Sequence, residues 1–226
     1  MNTRMSTGVK KLARIYYEHA GITIYHGDCR EILAGGGIVA DLLLTDPPYG
    51  IGKDGQDRST GGHGGRKAYE FLGWDQSRPD KELFALLLKA APIQIIWGGN
   101  YFADLLPATG KWLVWDKGQR INQSDGELAW TSMDGALRIL TLNRCVLAKD
   151  VAVHPTQKPL ALMQWCIKQA YRPGMTICDP FMGSGSTLVA AKNMQCSAIG
   201  IEREERFCEI AANRLQQETL WGEMAC

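Results

Sequence analysis

The feature that most constrains the fold is an apolar run that stops abruptly at an acid. Leu-Leu-Leu-Thr at 42–45 predicts a short buried strand over 41–45. Pro47 and Pro48 have no N–H to donate to a sheet ladder, so the strand has to end near Asp46. The carboxylate of Asp46 and the ring of Tyr49 therefore lie beyond the strand's carboxyl end, where open α/β sheets bind ligands.

A second motif occupies residues 176–187, where a predicted strand leads through a glycine turn into a helix. No lysine precedes Ser186 and Thr187, as a phosphate-binding P-loop requires, and Leu188 stands where a dinucleotide fingerprint has its third glycine. Glu202 follows the turn by about 20 residues, the spacing at which a carboxylate binds ribose hydroxyls. The pattern favours a nucleoside without a pyrophosphate.

Each of these features has a structural alternative that the sequence leaves open. Asp46–Tyr49 could be a simple strand-ending turn, and Gly183 and Gly185 could serve only helix–strand packing. Glu202 could be an acid that caps the following helix. The occurrence of all these features in one chain favours a binding site over separate structural roles.

The rest of the chain alternates predicted strands and helices, which predicts a mostly parallel sheet covered on both faces. Residues 1–20 are expected to be peripheral, and residues 50–68 form a glycine-rich loop. Predicted strands at 127–132 and 137–142 could pair as a hairpin. Further strands are predicted at 22–26, 93–97, 111–115, 175–179 and 197–201.

Composition excludes several classes of protein. The net charge of +1 gives no general attraction for polyanions, so any nucleic-acid surface has to be local. The seven cysteines are scattered and form no CxxC pair, which argues against a disulfide framework and a zinc site. No signal peptide or membrane-spanning stretch is recognisable. We therefore expect a cytoplasmic protein without a metal or a membrane partner.

From Gly27 to the last predicted helix, the chain resembles the amino-group DNA methyltransferases, which use S-adenosylmethionine. Residues 46–49 resemble the catalytic motif of that family, and residues 179–187 resemble its cofactor-binding motif. The segments 97–101 and 154–159 also resemble family segments. Because the catalytic motif precedes the cofactor motif, the order is similar to that of the permuted beta group.

The resemblance implies a Rossmann-like α/β methyltransferase fold with a mostly parallel seven-stranded sheet. The C-terminal strands would lie beside the N-terminal ones, and a reversed terminal hairpin would lie near 111–142. Residues 1–226 would form a single methyltransferase domain with a small target-recognition insertion at about 116–153. The glycine-rich loop at 50–68 would be a second variable region.

The resemblance also assigns roles to individual residues. Asp28 would lie near the adenine of the cofactor and Glu202 at its ribose. The catalytic residues would be Asp46, Pro47, Pro48 and Tyr49. The cofactor would be bound by Asp28, Thr156, Gln157, Lys158, Asp179, Phe181, Gly183, Ser184, Gly185, Thr187 and Glu202.

The chemistry of the first motif agrees with this assignment. An exocyclic amine on a base is a poor nucleophile, and it needs acceptors for its N–H groups while the nitrogen pyramidalises. Asp46 offers a carboxylate and Pro47 a backbone carbonyl. Tyr49 can stack on a base that has been flipped out of the duplex. Direct transfer of this kind requires neither a metal nor a covalent intermediate.

DNA is the expected partner, and the resemblance favours adenine N6 as the target because an acid at position 46 leans toward adenine in that family. Cytosine N4, RNA or protein amide methylation, and an inactive DNA- or cofactor-binding module are alternatives. The charges over 107–153 nearly balance, so DNA recognition is modest, shared with the glycine-rich loop, or built by a homodimer. The target sequence and any restriction–modification partner are not predicted. Phosphate contacts are expected from Lys53, Arg58, Arg66, Lys67, Lys117 and Arg120.

Overall fold

Nine strands form one sheet in the order β1-β2-β9-β8-β3-β4-β6-β5-β7. The computed structural model describes residues 14–52, 75–118, 124–143 and 157–222, with side chains described as far as residue 217. The strands are β1 Arg14–His19, β2 Ile22–His26, β3 Leu42–Thr45, β4 Ile93–Trp97, β5 Trp112–Asp116, β6 Gly126–Thr131, β7 Arg138–Thr141, β8 Thr176–Asp179 and β9 Ser197–Glu202.

The sheet has nine strands rather than the predicted seven because it gains one strand at each edge. β1 lies in the segment that was expected to be peripheral and pairs antiparallel with β2. Tyr16 and Tyr17 of β1 are partly buried and pack against the main hydrophobic core. At the other edge, β7 pairs with β5 in parallel. Both additional strands extend the sheet without altering the predicted neighbours at its centre.

The reversed hairpin is present, whereas a second hairpin suggested by the sequence is not. β6 pairs antiparallel with both β4 and β5, as expected for a reversed terminal hairpin. The suggested pairing of 127–132 with 137–142 is wrong, because β7 pairs with β5 on the side away from β6. The connection between β6 and β7 passes the start of β5, where the carbonyl oxygen of Gly135 approaches Gly110.

The centre of the sheet is the point at which the strand order reverses. From β8 the chain continues to β9 on one side, and from β3 it continues to β4 on the other. β3 and β8 are parallel neighbours, with Leu42 opposite Ile177 and Leu43 opposite Cys178. A crevice forms at such a switch point beyond the carboxyl ends of the strands, and it is the usual ligand site of open α/β sheets.

Helices cover both faces of the sheet, and β3 shows how its sequence permits this. Leu42 and Leu44 pack in the main core with residues of α3, α4 and α5, whereas Leu43 packs with Phe84 and Leu87 of α2. Successive side chains of a strand point to opposite faces, so an unbroken apolar run suits a strand buried on both sides. The helices are α1 Cys29–Ala34, α2 Lys81–Lys89, α3 Leu160–Lys168, α4 Ser186–Asn193 and α5 Glu205–Gly222.

None of the helices within the described ranges is long and apolar enough to cross a membrane.

Candidate active site

A cavity of about 630 Å³ opens at the switch point, beyond the carboxyl ends of β3 and β8. Eleven of the predicted site residues line it, from both sequence motifs, the segment before α3, the start of α1 and the end of β9. They are Asp28, Asp46, Pro48, Gln157, Lys158, Asp179, Phe181, Gly183, Ser184, Thr187 and Glu202. The two motifs, which are separated by more than 120 residues in the sequence, therefore meet at one site.

The turn after β8 is tied to the end of β3 by the buried carboxyl group of Asp179. One oxygen, Oδ1, accepts a hydrogen bond of 2.7 Å from the Thr45 hydroxyl and one of 3.1 Å from the backbone N–H of Phe181. The other, Oδ2, accepts a hydrogen bond of 2.5 Å from the Thr187 hydroxyl at the start of α4. Burial raises the pKa of Asp179 to about 6, although these hydrogen bonds act in the opposite direction. Asp179 thus fixes the turn after β8 relative to the end of β3.

The two glycines of the turn have different roles. Gly183 has a φ of +51°, and no atom outside its chain neighbours lies within 4 Å of where its Cβ would be. It also lines the cavity. Gly185 has a φ of +80°, and a Cβ there would lie 2.7 Å from the Ala211 Cβ on α5. Gly183 therefore leaves room on the cavity side, whereas Gly185 allows α5 to approach and does not line the cavity.

Glu202, the predicted ribose ligand, ends β9 and is held by backbone donors. Its Oε2 atom accepts a hydrogen bond of 3.1 Å from the N–H of Gly183, and its Oε1 atom accepts one of 2.7 Å from the N–H of Glu204. Burial raises the pKa of the Glu202 carboxyl group, and the backbone hydrogen bonds oppose that rise. The carboxylate and the open side of Gly183 lie together on one wall of the cavity.

Another wall comes from α1 and from the segment leading into α2. Asp28 caps α1 by accepting a hydrogen bond of 2.7 Å from the N–H of Arg30. Asp80 caps α2 and forms an ion pair of 2.7 Å with Arg30. Sequence reasoning missed the contribution of residues 77–80 because it depends on how α1 packs against α2. The apolar lining that it also missed includes Leu83, Met163, Ile201 and Phe207.

Both oxygens of Asp46 are hydrogen-bonded at the end of the cavity next to β3, where the catalytic residues were predicted. The Tyr49 hydroxyl donates to Oδ1 at 2.5 Å, and the Lys158 ammonium donates to Oδ2 at 2.6 Å. The Lys158 Nζ atom also lies 3.0 Å from Glu127 Oε2, and the other Glu127 oxygen lies 2.7 Å from Lys117 Nζ. Asp46, Lys158, Glu127 and Lys117 thus form a chain of alternating charges.

The charges in this chain stabilise one another. Burial disfavours ionisation of Glu127, but Lys158 and Lys117 outweigh that effect and lower its pKa to about 2. Burial likewise disfavours the charged form of Lys158, yet Asp46 and Glu127 raise its pKa well above the usual value. Sequence reasoning missed Glu127 altogether. No local pattern distinguishes it, because it reaches the site only through the position of β6 beside β4.

Tyr49 packs as a flat ring between backbone and another aromatic side chain. It stacks on Tyr101 with the ring centroids 4.7 Å apart and an angle of 15° between the planes. Gly98 has a φ of +73°, and a Cβ at that position would overlap the Tyr49 ring. Burial and the neighbouring Asp46 raise the pKa of Tyr49 well above its usual value, so the hydroxyl is a donor at neutral pH. Tyr49 and the buried Pro47 do not themselves line the cavity.

Lys117 does not fit the role of a phosphate contact. It is only 5% exposed, and its ammonium group is paired with Glu127 rather than presented on the surface. The other predicted phosphate contacts and the predicted cofactor residue Thr156 lie outside the described residues, as do most of the glycine-rich loop and part of the 116–153 segment. The affected residues are Lys53, Arg58, Arg66, Lys67, Arg120 and Thr156.

Sequence comparison agrees with the resemblance of the motifs. A family model for N6 and N4 methyltransferases, described as DNA methylase, matches residues 112–213. The type II methyltransferase M.ScaI of Streptomyces caespitosus is 26% identical over 96% of this chain and 89% of its own length. The type II methyltransferase M.HindIII of Haemophilus influenzae is 37% identical, over 38% of this chain and 28% of its own length. The chain is thus similar to amino-group DNA methyltransferases.

Solved structures share the architecture of this chain. M1.HpyAVI, solved as a complex with SAM, has a TM-score of 0.60 at 23% identity, covering 86% of this chain and 98% of that one. The cytosine-N4-specific PvuII DNA methyltransferase has a TM-score of 0.58 at 15% identity, covering 89% and 90%. The predicted methyltransferase fold is confirmed, with nine strands in place of seven. The beta-group motif order stays a prediction.

Proposed function

We propose that this protein transfers a methyl group from S-adenosylmethionine to the N6 amine of a flipped-out adenine in DNA. The observation that carries the proposal is the meeting of two motifs at one cavity. Asp46, a hydrogen-bond acceptor for an amine, lines the same cavity as Gly183 and Glu202, which suit a nucleoside. A hydrogen-bond acceptor for the substrate thus lies beside a cofactor site.

The cofactor assignment is supported by the size and the polarity of the cavity. A volume of about 630 Å³ is within the usual range for small-molecule sites. Glu202 can accept hydrogen bonds from ribose hydroxyls while its backbone partners hold it in place. The apolar side chains of Phe181 and Leu83 can cover a base. S-adenosylmethionine would supply an electrophilic methyl group, and M1.HpyAVI, of the same fold, is known as a complex with that molecule.

Asp46 would act on the amine in the manner inferred from its sequence. By accepting an N–H hydrogen bond, the carboxylate lets the nitrogen lone pair leave conjugation with the ring and turn toward the methyl carbon. The new N–C bond would form as the C–S bond breaks with its electrons going to sulfur, and the methylated nitrogen would then release one proton to water. Positioning and electrostatic stabilisation account for catalysis of this kind.

Tyr49 would provide the stacking surface for the flipped base. Its ring is held in place by Gly98 and by the hydrogen bond to Asp46. Tyr101, which is 38% exposed, stacks on Tyr49 and would have to move aside for a base. Base–aromatic stacking contributes about 1–3 kcal/mol per base, so this exchange of one ring for another is energetically feasible.

Adenine is favoured over cytosine because Asp46 is an acid. In the amino-group DNA methyltransferases, which the chain resembles, an acid at this position leans toward adenine. Cytosine N4 methylation is the second candidate because it needs the same amine geometry, and the PvuII enzyme of this fold is cytosine-N4-specific. We further propose a single domain over residues 1–226. Its phosphate contacts would come from Lys53, Arg58, Arg66, Lys67 and Arg120.

The substrate class is tested with methyl-labelled S-adenosylmethionine and three acceptors: duplex DNA of mixed sequence, RNA, and protein. We expect label in DNA and little in the other two. Label in RNA or protein alone would contradict the proposal. Binding of the cofactor without transfer to any of them would favour the inactive binding module instead.

A further inference from the structure

We infer that Lys158 is a positioning residue, which holds the carboxylate of Asp46 in the orientation needed to accept an amine. This inference rests on the proposed function, and it changes the role expected for Lys158 from its sequence. Lys158 lines the cavity, but its ammonium group points to the catalytic motif. Glu127 would act one step further away, by holding Lys158.

The Lys158 ammonium group lies among three side-chain oxygen atoms, two of which accept hydrogen bonds from it while the third belongs to an ion pair. Asp46 Oδ2 lies at 2.6 Å, Glu127 Oε2 at 3.0 Å and the Tyr49 hydroxyl oxygen at 3.4 Å. The side chain is 8% exposed. A lysine has three N–H donors and no acceptor, so two hydrogen bonds and a close ion pair with Glu127 leave little capacity for a cofactor.

The plane of an aspartate carboxylate is fixed only when both of its oxygens have hydrogen-bond partners. The terminal torsion of an aspartate is broad, so one hydrogen bond does not define where the remaining lone pairs point. In this site the Tyr49 hydroxyl holds Oδ1 and Lys158 holds Oδ2, while Lys158 also donates to the Tyr49 oxygen. The three groups form a closed triangle. The triangle restrains both oxygens and leaves their other lone pairs for the substrate.

Glu127 explains why a buried ammonium group can be placed beside a nitrogen that becomes positive during transfer. An isolated cation there would oppose the developing charge. With Asp46, Glu127 and Lys117 included, the chain has two negative and two positive groups and no net charge. Lys158 can therefore orient Asp46 at little electrostatic cost to the amine.

The test has to separate positioning from simple charge compensation, and paired variants do this. Lys158→Met keeps the length of the stem but leaves Asp46 and Glu127 facing each other without the shared cation. Adding Glu127→Gln removes one negative charge and restores the balance with Lys117. Lys111→Met is the matched control, because it makes the same chemical change at a lysine whose Nζ contacts the Met133 sulfur at 3.8 Å.

We expect Lys158→Met to lower the melting temperature and to reduce the single-turnover rate at saturating cofactor and DNA by about 10- to 100-fold. In Lys158→Met/Glu127→Gln the melting temperature should recover, whereas the rate should stay low. The affinity for S-adenosylmethionine should remain within about threefold of the unmodified protein in both. Lys111→Met should match the unmodified protein throughout.

Recovery of the rate together with stability in the double variant would overturn the inference, as would a normal rate in Lys158→Met. A crystal structure of the double variant gives a reading that does not depend on activity: the Asp46 carboxylate should rotate from its original plane. An unrotated carboxylate would also overturn the inference. Absence of transfer in the unmodified protein would instead refute the proposed function, and the orientation of Asp46 would still decide the role of Lys158.

Discussion

The two ends of the cavity hold their carboxyl groups in opposite ways. At the catalytic end, Asp46 and Glu127 pair with the ammonium groups of Lys158 and Lys117. At the cofactor end, the carboxyls accept hydrogen bonds from neutral donors, namely hydroxyl groups for Asp179 and backbone N–H groups for Glu202. Two strategies for burying acids thus lie side by side in one site.

The difference shows in the ionisation of the two ends. Two ammonium groups lower the pKa of Glu127 to about 2 against the effect of burial, whereas burial prevails at Asp179 and raises its pKa to about 6. The pairing of Glu127 with Lys158 therefore keeps both of these groups charged over a wide pH range. Asp179 is held by hydrogen bonds from neutral groups, and its charge changes near pH 6.

The largest expected effect is at Asp46. Asp46→Ala removes the acceptor of the amine N–H, so the transfer rate should fall by about 10³-fold. Because the cofactor-binding wall is unchanged, calorimetry should find S-adenosylmethionine bound about as tightly as before. Normal turnover by this variant would show that the catalytic end has been assigned wrongly.

Asp179 predicts a dependence of stability on pH. Its raised pKa means that the folded protein binds more protons than the unfolded chain between about pH 4 and pH 6. The free energy of unfolding should therefore fall as pH rises through that window, by at most about 1.4 kcal/mol per unit from this group.

Asp179→Asn keeps acceptor and donor atoms near Thr45 and Thr187 but removes the titration. Urea unfolding at several pH values measures the difference. Relative to the unmodified protein, the variant should gain stability from pH 4 to pH 6. Parallel curves for the two proteins would mean that Asp179 does not titrate as inferred.

Glu202 should affect binding rather than chemistry. Glu202→Ala removes the proposed ribose acceptor and leaves the Gly183 and Glu204 N–H groups without their partner. The dissociation constant for S-adenosylmethionine should rise by about 10- to 100-fold, as expected for loss of hydrogen bonds to a charged group. At saturating cofactor the rate should stay within a few-fold. Unchanged affinity would refute the ribose assignment.

Tyr49→Phe should have the smallest effect. The variant keeps the ring that stacks on Tyr101 but loses the hydrogen bond to Asp46, while Lys158 still holds the other oxygen. The rate should fall by about three- to tenfold, the equivalent of roughly one hydrogen bond. A loss as large as that of Asp46→Ala would mean that the hydroxyl takes part in the reaction rather than in the placement of Asp46.

The contrast between the two ends also separates what the sequence could predict from what it could not. Asp46 and the glycine turn are local patterns at strand ends, and Glu202 follows at a recognisable spacing, so all three were predicted. The pair of Lys158 and Glu127 joins a loop before α3 to β6. No sequence interval predicts such a contact, because it depends on the order of strands in the sheet.

Two further differences have the same cause. Gly185 stands in the cofactor motif but makes room for Ala211 on α5, a contact between helices that no local pattern encodes. Lys117 seemed a suitable phosphate contact by its charge, yet β5 and β6 place it against Glu127. Local sequence determined the types of chemistry at this site, and tertiary pairing determined which side chains remain available for it.

The most direct test of the central claim, methylation of an adenine amine, is to identify the base that receives the label. Mixed-sequence DNA is incubated with the protein and methyl-labelled S-adenosylmethionine, digested to nucleosides and separated by chromatography with mass detection. We predict that the label appears in N6-methyl-2′-deoxyadenosine. Label in N4-methylcytosine would contradict the choice of adenine, and label in C5-methylcytosine would contradict transfer to an amine at Asp46.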